Sequence, residues 1–300
     1  MATKCGFAAV IGAPNAGKST LVNALVGAKV SIVTPKVQTT RARVLGIACK
    51  GEAQIVYVDT PGIFTPKRRL ERAMVRAAWQ GAGDADVVLL MVDVAARASG
   101  RDEALEPILA GLRDAKRKAI LVLNKIDLVK PAVLLAIVQK LNAEGLFTDT
   151  FMISALKGDG VADLEKRIIE LLPPGPWLYP EDQVADMPLR LLAAEVTREQ
   201  LFLQLSQELP YSISVETESW EERKDGSVRI EQVVHVMRES HKPIVLGKGG
   251  QQIKRVGAAA RAELEKMLER KVHLFLFVRV SPDWIDDPER YQAMGLDFEQ

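Results

Sequence analysis

Short apolar runs alternate with stretches of helical period from the start of the chain to about residue 172. The runs at 6–11, 44–50, 54–58, 87–92, 119–123 and 150–153 are brief, nearly all apolar and bounded by turn residues, as strands buried on both faces are. Between them, apolar positions recur every three or four residues at 18–27, 69–80, 102–113, 131–143 and 161–171, which predicts helices with one buried stripe. This alternation predicts an α/β fold, a mostly parallel six-stranded sheet with helices on both faces, over 1–172. Residues 28–41 interrupt it. They are polar, contain Pro35 and keep no sustained period despite Val30, Ile32 and Val33, so they read as a long functional loop.

A second break follows at Pro173-Pro174-Gly175-Pro176-Trp177-Leu178-Tyr179-Pro180, where the prolines and glycine oppose both helix and ladder. This predicts a linker over 173–187. The pattern then restarts with a helix near 188–207, strands near 211–219 and 228–237 around a hairpin loop at Lys224-Asp225-Gly226, and a short helix. A glycine loop, a long helix near 251–268 and a strand near 272–280 complete it. Residues 188–280 are thus a smaller α+β unit of order α-β-β-α-α-β, and the tail 281–300 shows no clear element.

Three hundred residues, 48% of them hydrophobic, are enough for two domains with cores of their own. The net charge of +1 points to no class of partner, although basic residues exceed acidic ones up to 172 and acidic ones exceed basic ones after it. Cys5 and Cys49 lie in apolar surroundings without metal-ligand spacing, so buried, reduced thiols are expected. The start of the chain leads into a strand instead of a signal peptide, and no apolar run approaches about 18 residues, which predicts a cytoplasmic protein.

The chemistry concentrates at strand ends. Gly12-Ala13-Pro14-Asn15-Ala16-Gly17-Lys18-Ser19-Thr20 follows the first apolar run and opens the first helix, the setting in which G-x-x-x-x-G-K-[ST] cradles phosphates on backbone N–H groups. Lys18 would reach the terminal phosphates and Ser19 would ligate Mg2+. Asp59-Thr60-Pro61-Gly62 ends the strand at 54–58, offering a second magnesium contact through Asp59 and a γ-phosphate donor at the Gly62 N–H. A plain turn would look the same in isolation. Gln38-Thr39-Thr40-Arg41 supplies hydroxyls for a magnesium shell completed only when a γ-phosphate is present, with Thr40 preferred to Thr39. Base choice falls to Asn124-Lys125-Ile126-Asp127 at the carboxyl end of the strand at 119–123, because a carboxylate there accepts both the N1–H and the amine of guanine. Ser154, Ala155 and Leu156 follow the next strand, where a backbone N–H could meet the guanine carbonyl. In the second unit, Gly247-Lys248-Gly249-Gly250 stands between two predicted helices, with Arg238, His241, Lys242, Lys254 and Arg255 around it. A G-x-x-G loop in this α-β-β-α-α-β order fits a KH-type clamp on single-stranded RNA, in which phosphates approach the glycine backbone. The role of His241 stays open between a base contact and a structural one.

In their order and wording these residues resemble the translation-factor-related GTPases, in the branch where one GTPase domain carries a C-terminal type II KH domain. The likeness covers essentially the whole chain. It implies a GTP-hydrolysing switch that exchanges GTP and GDP, uses Mg2+, and binds the 3′ end of small-subunit ribosomal RNA during assembly of the 30S subunit. It further implies switch loops at Gln38–Arg41 and Asp59–Ile63. Ile63 stands where Ras-type enzymes carry a water-orienting glutamine, so intrinsic hydrolysis is expected to be slow. In some relatives an asparagine at the position of Asn15 helps hold K+; simple bracing of the loop is the other role open to it. The competing class is a GTP-dependent regulator whose second domain docks a protein, or a complex peripheral to the inner face of the plasma membrane.

Overall fold

The computed structural model describes residues 3–206, 209–282, 284 and 287–298. It divides into two compact units. One holds Met1–Ser31, Thr40–Asp186 and Met294–Gln300; the other holds Ile32–Thr39 and Met187–Ala293.

The first unit runs β1 (Lys4–Gly12), α1 (Lys18–Val26), β2 (Val44–Lys50), β3 (Ala53–Asp59), α2 (Arg69–Asp84), β4 (Val87–Asp93), α3 (Val94–Ala98), α4 (Leu105–Asp114), β5 (Ala119–Asn124), α5 (Pro131–Asn142), β6 (Phe147–Ile153) and α6 (Val161–Leu171). The strands lie in the order β2-β3-β1-β4-β5-β6. All pairings are parallel except β2 with β3. Alternate residues of each central strand serve opposite faces, which makes two apolar layers. Ala8, Val10, Leu89, Met91 and Ile120 pack with Leu21 and Leu25 of α1 and Leu164 and Ile168 of α6. Ile11, Val88, Leu90, Leu121 and Leu123 pack with Ala78 of α2, Ile108 of α4 and Ile137 of α5. Strand order reverses around β1, so the binding crevice opens at the carboxyl ends of β1, β3 and β4.

Two local outcomes differ from the periodicity. The helix expected at 102–113 is preceded by the short α3, because Asp93 Oδ1 accepts from the N–H groups of Ala95 and Ala96 and starts a turn there. The proline-rich stretch, expected as a linker, is laid against the first unit's sheet edge. Prolines cannot donate to a ladder, but their carbonyls accept: Cys5 N–H bonds Pro173 O at 3.2 Å. The buried side chain of Gln54 takes the N–H groups of Leu178 and Tyr179 and donates to Tyr179 O, and Ile47 N–H reaches Val184 O at 2.9 Å. Cys5 is buried and Cys49 half-buried on either side of Gln54, and both thiols are free.

The second unit runs α7 (Leu189–Gln204), β7 (Ile213–Glu222), β8 (Val228–Val236), α8 (His241–Leu246), α9 (Gln251–Leu268), β9 (Val272–Val280) and α10 (Pro288–Ala293). Its sheet has the order β7-β8-β9, antiparallel then parallel. Val234, Val236 and Ile213 of the sheet pack with Leu201 of α7 and Val256 of α9. The tail region, without a clear element by pattern, contains α10.

Candidate functional site

The phosphate loop is a consequence of two glycines. Gly12 sits at φ +152°, and a Cβ there would lie 2.4 Å from Met91 O; Gly17 sits at φ +99°, and its Cβ would meet Asn124 Nδ2 at 2.3 Å. Only glycine lets the chain leave β1, curl and enter α1 without displacing β4 or β5. Gly17 is the N-cap of α1, which has no side-chain cap, so the first N–H groups of the helix face the loop. Lys18 is buried inside it, with Nζ 2.9 Å from Ala13 O and 3.3 Å from Gly12 O. Loss of hydration lowers its pKa to about 8 against the opposing attraction of Asp59.

Asp59 ends β3 wholly buried, and Oδ2 accepts from Ser19 Oγ at 2.7 Å and from Thr40 Oγ1 at 3.4 Å, while the two hydroxyls lie 2.9 Å apart. Its Oδ1 has no hydrogen-bond partner among the described residues. Burial raises its pKa, and the Ser19 hydrogen bond and the Lys18 charge oppose the rise. A buried carboxylate with an uncommitted oxygen beside two hydroxyls is a donor set for a hard divalent cation, which fits Mg2+. Gly62 is pressed against Pro14, where a Cβ would come within 2.9 Å of its backbone. This close approach brings the Gly62 backbone to the phosphate loop.

Several expected switch residues point inward. Thr60 Oγ1 donates to Val10 O at 2.7 Å, and Ile63 is 3% exposed in the core with Ile11, Ala78 and Ala82. Arg41 is buried as well. Gln38, in the left-handed region at φ +56°, and Thr39 belong to the segment grouped with the second unit.

The base-side residues meet at the ends of β5 and β6. Asn124 is committed on both ends of its amide: Nδ2 donates to Ala16 O at 2.8 Å and Oδ1 accepts from Ala155 N–H at 2.9 Å. It therefore braces two loops, and its NH2 group keeps a second N–H beyond the one given to Ala16. Lys125, at φ +65°, sends Nζ to Asn15 O at 2.8 Å and to Asp93 at 2.5 Å. Asp127 is flanked by Ser154 and by Lys157, whose Nζ is 3.3 Å away, and these neighbours hold its pKa below the ordinary carboxylate value. Its carboxylate is ionised and accepts from both of them. Leu156 is strongly exposed.

Sequence inspection missed Asn23 and Asp93. Asn23 Oδ1 accepts from Val30 and Ser31 N–H, and Nδ2 donates to Ser31 O, which pins the start of the long loop to α1. An asparagine on a helix carries no periodic signal. Asp93 was visible as an acid at a strand's carboxyl end.

In the second unit α8 ends at Gly247, whose N–H bonds Pro243 O, and α9 starts at Gly250 without a side-chain cap. A Cβ at Gly247 would collide with Gln252, whereas Gly249 at φ +59° has open space. Arg238, Lys248, Lys254 and Arg255 are exposed around the turn, Lys242 and His241 are half-buried, and Ile244 of α8 is exposed beside them. The open backbone, the uncapped N-terminus of α9 and the cations make a site for a polyanionic backbone.

A phosphate loop, a buried Asp59 beside the hydroxyls of Ser19 and Thr40, and an acidic base-side residue on a sheet of this order define a P-loop GTPase, joined here to a KH unit. A family model described as a 50S ribosome-binding GTPase matches residues 7–125, and a KH domain model matches residues 208–285. The chain is 61% identical over 296 residues to GTPase Era of Brucella suis biovar 1, spanning 99% of this chain and 94% of that one. It is also 61% identical over 296 residues to GTPase Era of Dinoroseobacter shibae, spanning 99% and 96%. Two solved structures superpose on 98% of this chain and 99% of theirs at 42% identity. These are a variant of Aquifex aeolicus Era bound to GDP and AlF4−, with a TM-score of 0.89, and an Era complex with MgGDPNP and nucleotides 1506–1542 of 16S ribosomal RNA, with a TM-score of 0.90. The chain belongs to the Era family of GTPases.

Proposed function

We propose that this chain is a cytoplasmic GTP-hydrolysing switch that grips the 3′ end of small-subunit ribosomal RNA through its KH loop and serves assembly of the 30S subunit. The observation that carries the reading is the likeness, over 98% of the chain, to an Era structure holding a GTP analogue and that RNA segment together. In this reading the N–H groups of Gly12–Thr20 and Lys18 hold the phosphates. Asp127 accepts from guanine, and the Ala155 N–H bonded to Asn124 fixes the loop that closes over the base. Ser19, Thr40 and Asp59 would hold Mg2+, which, when bound, neutralises charge on the β- and γ-phosphates. Because Ile63 is committed to the core and no glutamine follows Gly62, hydrolysis is slow, of order 10⁻⁴ to 10⁻² per second.

Asn15 holds a strained loop position at φ +60°, and its carbonyl is taken by Lys125. If its side chain also helps to hold K+, replacing K+ by Na+ slows hydrolysis in the wild type but not in Asn15→Ala. A peripheral membrane contact is left to the competing class and is tested by co-sedimentation with anionic vesicles.

The test is binding of the full chain to an RNA of the 16S 3′ end and to an unrelated RNA of equal length, across a salt series. Preference for the former and a steep salt slope are expected. Equal, weak binding of both would overturn the RNA assignment.

A further inference from the structure

Ile32–Thr39 lies between two residues of the nucleotide site in sequence, yet it packs as part of the second unit. Three attachments fix it to α7. Val33 N–H donates to Glu199 Oε1 at 2.8 Å. Lys36 Nζ donates to the carbonyls of Phe202 and Leu205. The Arg198 guanidinium donates to Thr39 O, while its Nε donates to Glu195 at 2.7 Å and its Cζ lies 5.1 Å from the Phe202 ring centre.

Positions 198, 199, 202 and 205 share one face at the end of the helix. α7 has no basic residue in its last turn, so Lys36 supplies the cation that its terminal carbonyls otherwise lack. Arg198 is 2% exposed, an unusual burial for a cation, and its place in the fold is set by what it holds. The segment is closed on itself by Thr34 Oγ1 and Thr39 Oγ1, 2.6 Å apart, and by Thr39 Oγ1 donating to Lys36 O at 2.7 Å. Thr40, one peptide bond beyond the anchored Thr39 carbonyl, has its hydroxyl 2.9 Å from Ser19 Oγ. A fixed carbonyl at 39 restricts the rotations that would carry the Thr40 hydroxyl away.

We propose that Arg198, with Glu199 and Lys36, is a positioning residue for the nucleotide reaction: by anchoring Val33, Lys36 and Thr39 to α7 it holds Thr40 in the arrangement that serves the γ-phosphate form, and so sets the preference for GTP over GDP. The inference rests on the reading that Thr40 serves only that form. α7 then acts on the nucleotide site through a backbone segment, with no group of its own touching the nucleotide.

The test measures affinities of the full chain for GDP and for a non-hydrolysable GTP analogue in Mg2+, using fluorescent nucleotides. In Arg198→Ala, analogue affinity should fall at least about fivefold, the lower end of usual couplings, while GDP affinity stays at the wild-type value. Adding Arg198→Ala to Thr40→Ala should bring no further loss, because the arginine acts through the threonine. Glu199→Ala should reproduce the defect and Glu199→Gln, which keeps an acceptor for Val33 N–H, should restore the wild-type ratio. Should Arg198→Ala not fold, Lys36→Met, which keeps the packed methylenes, is read the same way. Equal losses for both nucleotides, or losses that add to those of Thr40→Ala, would assign Arg198 a purely structural role and overturn the inference. Indifference of the GTP-to-GDP ratio to Thr40→Ala itself would remove the underlying reading along with it.

Discussion

Lys18 is a cation whose nearest oxygens are main-chain carbonyls, and desolvation brings its pKa to about 8. A phosphate in that position favours the ammonium and lifts the pKa back up, so nucleotide binding takes up a proton wherever the pH lies above the free-protein value. Affinity for GDP should therefore fall as pH rises beyond about 8, approaching about tenfold per unit. Titration calorimetry in two buffers of different ionisation enthalpy measures the uptake directly, and a flat affinity from about pH 7 to 10 would contradict it. Asp127 is the opposite case, a carboxylate held below its ordinary value by Ser154 and Lys157 and so ionised throughout that range. Changing it to Asn replaces one of two acceptors with a donor, which costs guanine roughly 1 to 3 kcal/mol and suits xanthine better. Unaltered GTP affinity in Asp127→Asn would disprove the guanine assignment. Ile63 follows Gly62 where a water-orienting glutamine would stand. At 3% exposure it is a core residue. Ile63→Ala should cost about 2 to 5 kcal/mol of stability while leaving the hydrolysis rate per folded molecule nearly unchanged, as thermal melts beside single-turnover assays would show.

The glycine turn between α8 and α9 is where an element's geometry decides a variant's meaning. Gly249 lies in the left-handed region with open space around it, a conformation that aspartate tolerates better than most residues. Gly249→Asp should thus fold, keep GTP hydrolysis, and lose most RNA affinity, since its carboxylate occupies the path of a phosphate. Lys248→Ala should weaken binding to all sequences and lower the salt slope by about one. A folded Gly249→Asp that binds the same RNA at wild-type strength would make the loop a mere connector. At this scale the sequence is most legible: the central strands show as apolar runs because both faces are buried, and the phosphate-loop motif shows because Gly12 and Gly17 leave no room for a side chain. What escaped was set by hydrogen bonds that leave no period. Asp93 caps α3, Asn23 pins the loop to α1, and Gln54 gathers the proline-rich stretch onto the sheet edge. Asn124 is expected at the base site by motif, and its bonds to Ala16 and Ala155, which tie the phosphate loop to the loop after β6, show only in the three-dimensional arrangement.

For the whole molecule, the question is whether occupancy of one unit is felt by the other. Ile32–Thr39 is grouped with α7 in the second unit, while Ser31 and Thr40 on either side of it in sequence are grouped with the first. Asn23 fixes one end of it, and the Ser19–Asp59 pair meets the other. Val33, Lys36 and Thr39 have their partners at α7, and Thr40 has its own in Ser19 and Asp59. If a γ-phosphate with Mg2+ strengthens the hold on Thr40, the same conformation is favoured in α7's partner segment, and α7 packs on α9, which opens at the glycine turn through Gly250. RNA should therefore bind more tightly in the presence of a GTP analogue than with GDP. By linkage RNA must then raise affinity for the analogue, relative to GDP, by the same factor, in the range of about 5- to 150-fold. Measuring RNA affinity with each nucleotide, and nucleotide affinity with and without RNA, closes the cycle and checks itself. Thr40→Ala should collapse the difference while leaving RNA affinity in GDP unchanged. Equal RNA affinities with both nucleotides, in wild type and variant alike, would mean that the segment joins the two units in sequence without carrying free energy between them.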